Sequence, residues 1–272
     1  MSKIRREVKY VGQQRFVRKN TAIFDTARRQ DKKRTRRTVF YVLLFLAVSI
    51  VFLGVCVAVF LNVNTINING NENYSYEEIL EHVAITMGEN IYSFDTDAIE
   101  QDILNALPYV GKVEVKRDLP SAVEINITEE KAYYSAYLAG DTYILSPNLK
   151  VLKCIPDKNS NEGLVPISIN NVRRCFVGRN IEFVNERNLS SITALYSGFE
   201  SMGIQSKIKR VDFTSRFDIS INYDNRFEVY IGDTDNIDIK MRFLVAIIDE
   251  LDSDATGRID VSNPQEASVS LS

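Results

Sequence analysis

Catalysis needs a titratable or nucleophilic side chain poised by its neighbours, and this sequence offers few. His82 is the only histidine, so a Ser-His-Asp or Cys-His arrangement would have to pass through it. It stands beside apolar positions in a helical stretch and reads as an ordinary surface or half-buried residue. Glu77-Glu78 and Glu129-Glu130 could suggest the paired carboxylates of a glycosidase. Neighbours along a strand point to opposite faces, however, and a chain this rich in acids makes adjacent pairs common. No H-E-x-x-H, G-x-S-x-G, Walker or G-x-G-x-x-G pattern occurs. The expectation is therefore no catalytic residue, no metal site and no cofactor. Of the three cysteines, Cys56 falls in an apolar run, while Cys154 and Cys175 could form one disulfide or stay free; no C-x-x-C spacing is present.

The elements around these residues are organised by charge and hydropathy. Residues 1–37 carry a net charge of +11 and residues 38–272 a net of −14, so the two parts suit different electrostatic surroundings. Between them Val39–Leu61 has no charged residue in 23 positions. A helix of that length covers about 34 Å, enough for a hydrocarbon core of about 30 Å. The basic cluster Arg28, Arg29, Lys32, Lys33, Arg34, Arg36 and Arg37 precedes it, and the first basic residue after it is Lys112. That asymmetry places the N-terminus in the cytoplasm and the rest outside, as a single-pass type II protein. The run is longer than a signal-peptide core and no A-x-A site follows, so it is expected to be retained as an anchor. The basic tail fits contact with the lipid bilayer and lacks the interleaved aromatics of a nucleic-acid arm.

Past the anchor, Thr65–Asn69 alternates and breaks at Gly70. Ser75 to Glu78 is a capping box, opening a helix with Ile79, Leu80 and Val83 inward. A second helix opens near Asp97, with Glu100 three residues on, and stops at Pro108. Val110–Lys116 and Ala122–Glu129 alternate as half-buried strands joined at Arg117-Asp-Leu-Pro120. The order is β-α-α-β-β. Residues 131–272 are strand-rich, with helices near Asn188–Met202 and Ile237–Leu251. Tyr133, Tyr134 and Tyr137 read as cross-strand packing or a binding surface. Two short terminal strands, Arg258–Ser262 and Ala267–Leu271, end the pattern. The fold class is α+β, with a basic tail over 1–37, an anchor over 38–63, one domain over 64–130 and a strand-rich domain with two helices over 131–272.

These features resemble the FtsQ/DivIB cell-division family. Ile66 to Asn71, then Pro108-Tyr109-Val110, then Val113, Val115, Arg117 and Pro120, then Ile125, Ile127 and Glu129, are similar to its POTRA pattern. Thr142–Leu145, Leu149–Val151, Phe227–Gly232, Lys240 and Arg258–Val261 are similar to its β domain. The positions Gly70, Pro108, Val110, Arg117 and Pro120 carry the POTRA resemblance. Ser146-Pro147-Asn148 departs from the Asp and Gly more usual at that turn. The resemblance implies a non-enzymatic scaffold at the division septum that binds FtsB- and FtsL-like bitopic proteins and helps regulate septal peptidoglycan synthesis. It also implies partner docking at the C-terminal strands, for which Ile259, Val261, Val269 and Leu271 are the candidate residues; a homodimer is a further possibility. The alternatives are a single-POTRA secretion or chaperone component that captures extended polypeptides at a sheet edge, and an extracytoplasmic wall hydrolase.

Overall fold

The structure, a computed structural model, describes residues 35–57, 59–156, 160 and 163–272. Arg28, Arg29, Lys32, Lys33 and Arg34 lie outside the described residues. The chain divides into two compact units, residues 1–62 and 63–272. In the first, α1 (Thr35–Val57) is a helix of 23 residues with mean hydropathy 2.8, long and apolar enough to cross a membrane. Arg36 and Arg37 are exposed at its start.

The second unit begins with β1 (Thr65–Asn69), α2 (Tyr76–Leu80), α3 (Thr96–Ala106), β2 (Val110–Asp118) and β3 (Ala122–Glu129). Its three-stranded sheet has the order β1-β3-β2, with β1 parallel and β2 antiparallel to β3. The alternation is kept: Val113, Val115, Val123, Ile125 and Ile127 are buried, while Lys112, Glu114 and Lys116 are exposed. Ile79 from α2 and Ile99 and Ile103 from α3 complete this core. Each such isoleucine stabilises the fold by about 1.5–3 kcal/mol on burial.

The Ser75–Glu78 capping box is present, with both reciprocal bonds made. The helix it opens is shorter than its periodicity suggests: it ends at Leu80, and Val83 is buried from the turn beyond. The next helix starts earlier than expected. Asp95, not Asp97, is its cap and accepts the Asp97 N–H. Glu100 does not fold back on the helix start; it accepts the N–H of Val115 at 2.8 Å. That N–H belongs to β2, an edge strand of the three-stranded sheet, and Glu100 satisfies it.

The rest of the unit is one nine-stranded sheet in the order β14-β13-β12-β11-β10-β7-β4-β5-β6. Its strands are β4 (Tyr134–Leu138), β5 (Asp141–Leu145), β6 (Val151–Ile155), β7 (Val165–Ile169), β10 (Ile208–Ser215), β11 (Asp218–Tyr223), β12 (Phe227–Gly232), β13 (Gly257–Asn263) and β14 (Glu266–Leu271). A separate ribbon pairs β8 (Val172–Arg174) with β9 (Glu182–Phe183). Hairpins join β4-β5-β6 and β10-β11-β12. β7 runs parallel to both β4 and β10, and so joins the two meanders into one sheet. Parallel neighbours need crossovers. α4 (Arg187–Met202) lies between β7 and β10, and α5 (Ile237–Glu250) between β12 and β13. Ile192, Leu195 and Phe199 from α4 and Met241 and Leu244 from α5 share one hydrophobic core with the strands. Cys154 and Cys175 are both free thiols, partly buried. Burial and the nearby Cys154 push the Cys175 thiol up to about 12.

Candidate docking edge

Among the described residues β14 forms one margin of the nine-stranded sheet and pairs only to β13. It pairs antiparallel, Ile259 opposite Val269 and Arg258 opposite Ser270. Residues directly opposite share a sheet face, so Val269 continues the face of Ile259. Ile259 and Val261 are wholly buried in the core, whereas Val269 and Leu271 are 40% and 57% exposed. The four candidate residues therefore separate. Ile259 and Val261 form the floor that positions the edge and present no surface; Val269 and Leu271 are the part of that apolar face left uncovered. Ser272 donates its N–H to the Thr256 carbonyl at 3.0 Å, which directs its backbone toward β13. Strand alternation then turns Ser270 and Ser268 the same way, and directs the backbone N–H and C=O groups of Val269 and Leu271 outward. The edge thus offers outward main-chain groups and an apolar side-chain row together, the two requirements of strand addition.

Several interactions hold β13 and β14 in place. Gly257 has φ +155°, and any Cβ there would run into the Ser270 carbonyl of β14; only glycine lets the two strands approach at this point. Arg226 donates to the carbonyls of Ala255 at 3.0 Å and Asp252 at 2.6 Å, tying the β11–β12 turn to the chain entering β13. Lys240 is 1% exposed. Its ammonium donates to the carbonyls of Ile231 at 3.2 Å and Asp233 at 3.0 Å, and to Asp233 Oδ1 at 2.6 Å. A buried cation needs such a set of acceptors, and this one pins the end of β12 to α5, the helix that returns to β13. Partial burial pushes the Asp233 carboxyl up, but the Lys240 ammonium outweighs this and holds it below the ordinary aspartate value. Lys240 entered the sequence reading only as a point of resemblance; its clamp could not be read from a single lysine within an amphipathic helix.

Residues 61–130 match the family model described as POTRA domain, FtsQ-type. The cell division protein DivIB of Clostridium botulinum (strain Loch Maree) is 28% identical over 238 residues, covering 85% of this chain and 90% of that protein. Over most of its length the chain is similar to the FtsQ/DivIB cell-division proteins. DivIB of Bacillus subtilis is 30% identical over 61% of this chain and 63% of that protein. The cell division protein FtsQ of Corynebacterium glutamicum is 27% identical over 65% of this chain and 73% of that protein.

Within this FtsQ-type POTRA unit the resemblance positions have structural work. Gly70 has φ +82°, and a Cβ there would meet the Ile127 carbonyl. Pro108 follows the Leu107 cap of α3. Val110 is wholly buried, and its carbonyl accepts from Lys150 Nζ at 2.6 Å, joining the POTRA unit to the turn before β6. Arg117 donates to the carbonyls of Ile91 at 2.8 Å and Phe94 at 2.7 Å. Pro120 sits in the β2–β3 turn. The acids weighed as a pair are occupied locally: Glu78 in the capping box, and Glu129 accepting the N–H groups of Glu72 and Asn73. Tyr134 is buried, and Tyr133, edge-on to Tyr134 and Tyr196, donates to the Gln205 carbonyl at 3.0 Å; only Tyr137 is exposed. His82 is half-buried beside a shallow groove with Glu81, Asp102 and Asn105. Among the described residues no group of three or more His, Cys, Asp or Glu could hold a metal ion.

Proposed function

We propose that this protein is a non-enzymatic divisome scaffold of the FtsQ/DivIB family whose β14 edge receives a strand from an FtsB-type bitopic partner, within a complex that also holds an FtsL-type protein. The anchor over residues 38–63 sets the N-terminal tail in the cytoplasm and carries the POTRA unit (64–130) and the β domain (131–272) outside, at the septum. There the scaffold helps regulate septal peptidoglycan synthesis by holding its partners together. A shared membrane confines the proteins and raises the effective concentration of each for the others, so the edge can act with modest intrinsic affinity. The observation that carries this reading is the edge itself. It has outward main-chain groups, an uncovered apolar row at Val269 and Leu271, and no charge from Ala267 to Ser272. Natural proteins usually guard such an edge with charge, proline or a covering segment; one left unguarded suits strand addition.

The test is a pull-down of the full chain with its native FtsB-type partner, repeated with the chain cut after Asn263. The expected result is capture by the full chain and none by the shortened one, with circular dichroism and the thermal transition largely kept. Equal capture by both would overturn the docking edge. Capture of many unfolded polypeptides and no defined partner would favour the secretion or chaperone alternative.

A further inference from the structure

One end of the POTRA sheet is apolar in a way the docking edge does not explain. β1 begins at Thr65, β3 begins at Ala122 opposite it, and β2 ends at Asp118, also opposite Ala122. The same end of all three strands therefore lies where the chain enters the unit at Val63. Two further segments are tied to that entry. Gly88 donates its N–H to the Val63 carbonyl and Val63 donates to the Glu89 carbonyl, both at 2.8 Å; Asn64 donates to the Ser121 carbonyl at 2.8 Å. Arg117 fastens the Ile91–Phe94 segment to the same end through its two carbonyl contacts, with Tyr92 lying 5.6 Å from its guanidinium.

These segments carry Met87, Tyr92 and Leu119, which are 56%, 57% and 54% exposed. Between residues 63 and 130 the exposed large hydrophobic residues number four, and three of them are these; the fourth is Tyr76. Scattered exposed apolar residues are ordinary, but three gathered on the turns at one end of one sheet are not scattered. Only residues 58–62 separate Val63 from the apolar helix Thr35–Val57, and five residues reach at most about 18 Å. A tyrosine with an apolar body and a polar tip, flanked by methionine and leucine, suits the zone between hydrocarbon and water. Backbone bonds hold the Met87 and Leu119 turns to the chain entry and the Arg117 side chain holds the Tyr92 segment, so presenting them needs no refolding.

We propose that this end of the POTRA unit is a lipid-facing surface, with Met87, Tyr92 and Leu119 entering the interfacial layer of the bilayer that holds the anchor. The inference rests on the reading of residues 38–63 as a membrane anchor. It gives the tyrosine and the two aliphatic side chains one occupant, phospholipid, and limits how far the docking edge can swing relative to the membrane.

The chain contains no tryptophan, so a single one can report on its surroundings. Full-length Tyr92→Trp, Leu119→Trp and Met87→Trp variants, with Val184→Trp as an exposed reference on the β domain, are reconstituted into phosphatidylcholine–phosphatidylglycerol bilayers with and without chain-brominated lipid. Flotation first establishes that the chain is integrated. The expected result is strong quenching by brominated lipid and blue-shifted emission at 92, 119 and 87, and little of either at 184. Integrated protein in which all three behave like position 184 overturns this inference and leaves the anchor standing. Failure to float with the bilayer overturns the anchor reading, and this inference with it.

Discussion

At the start of its β6 margin the nine-stranded sheet is covered by its own chain, whereas among the described residues its β14 margin carries no covering segment. Along the outer side of β6, Val151 donates its N–H to the Arg179 carbonyl at 2.9 Å and accepts from Gly178 at 2.8 Å, and the Leu149 carbonyl accepts from Ile181 at 2.9 Å. The segment from Gly178 to Ile181 acts as a cover, and Ile181 is itself 1% exposed. Among the described residues β14 has no such cover, and its sequence has no charge after Glu266 and no proline. An unpaired edge invites association, and the two margins of this sheet differ in how their first residues are covered. The start of β6 is covered by chain and β14 is not, a difference in keeping with the proposal that β14 receives a partner strand.

The largest expected effect breaks the closed edge. Val151→Pro removes the N–H that bonds Arg179 at the start of β6, orphans that carbonyl and pushes a ring against the cover, and should destabilise the β domain by about 3 kcal/mol. Urea denaturation of the full chain would measure this, and a change near zero would mean that the cover contributes little. The next effect acts on the support of the open edge. Lys240→Met leaves the Ile231 and Asp233 carbonyls short of a donor and should cost about 1–3 kcal/mol. The same variant has a pH signature. Because Lys240 depresses the folded Asp233 carboxyl, this contribution is fully present above the unfolded aspartate value, about pH 4, and is lost as pH falls through the folded value. Stability against pH should therefore lose part of its acid slope in Lys240→Met, by a modest amount since the Asp233 side chain is 39% exposed. A smaller effect is expected at Lys150, whose half-buried ammonium joins the closed margin to Val110. Lys150→Met should cost no more than about 1 kcal/mol and should raise protease sensitivity at the 130–133 link; unchanged cleavage there would remove Lys150 as a tie between the domains.

Much of this molecule was legible where the signal is local. The period of two in Val110–Lys116 and Ala122–Glu129 marked both POTRA strands, and the Ser75–Glu78 spacing marked a real cap. The second helix opens within a residue of Asp97, but its cap differs because two acids compete for its start: Asp95 makes the cap, and Glu100 answers a strand N–H fifteen residues away. Pairing of β7 with both β4 and β10 joins segments distant in sequence, and no periodicity encodes that. The ribbon β8–β9 is too short to carry a pattern. At the docking edge, alternation put Ile259, Val261, Val269 and Leu271 on related faces. It could not tell which of them the core covers, and the fold buries the first pair and leaves the second exposed. The end of the POTRA unit that gathers Met87, Tyr92 and Leu119 is invisible in sequence, since its three turns meet through backbone bonds to Val63 and Asn64 and through the Arg117 side chain.

The comparison of the two edges is tested most directly by Val269→Pro. The ring removes an N–H that points away from β13, on an edge strand where proline is tolerated, so the thermal transition should shift little. Binding of the FtsB-type partner, measured by titration calorimetry on the reconstituted full chain, should weaken at least about tenfold, since an added strand loses a main-chain bond and meets the ring. A folded Val269→Pro protein that binds the partner as tightly as the native chain would contradict the account.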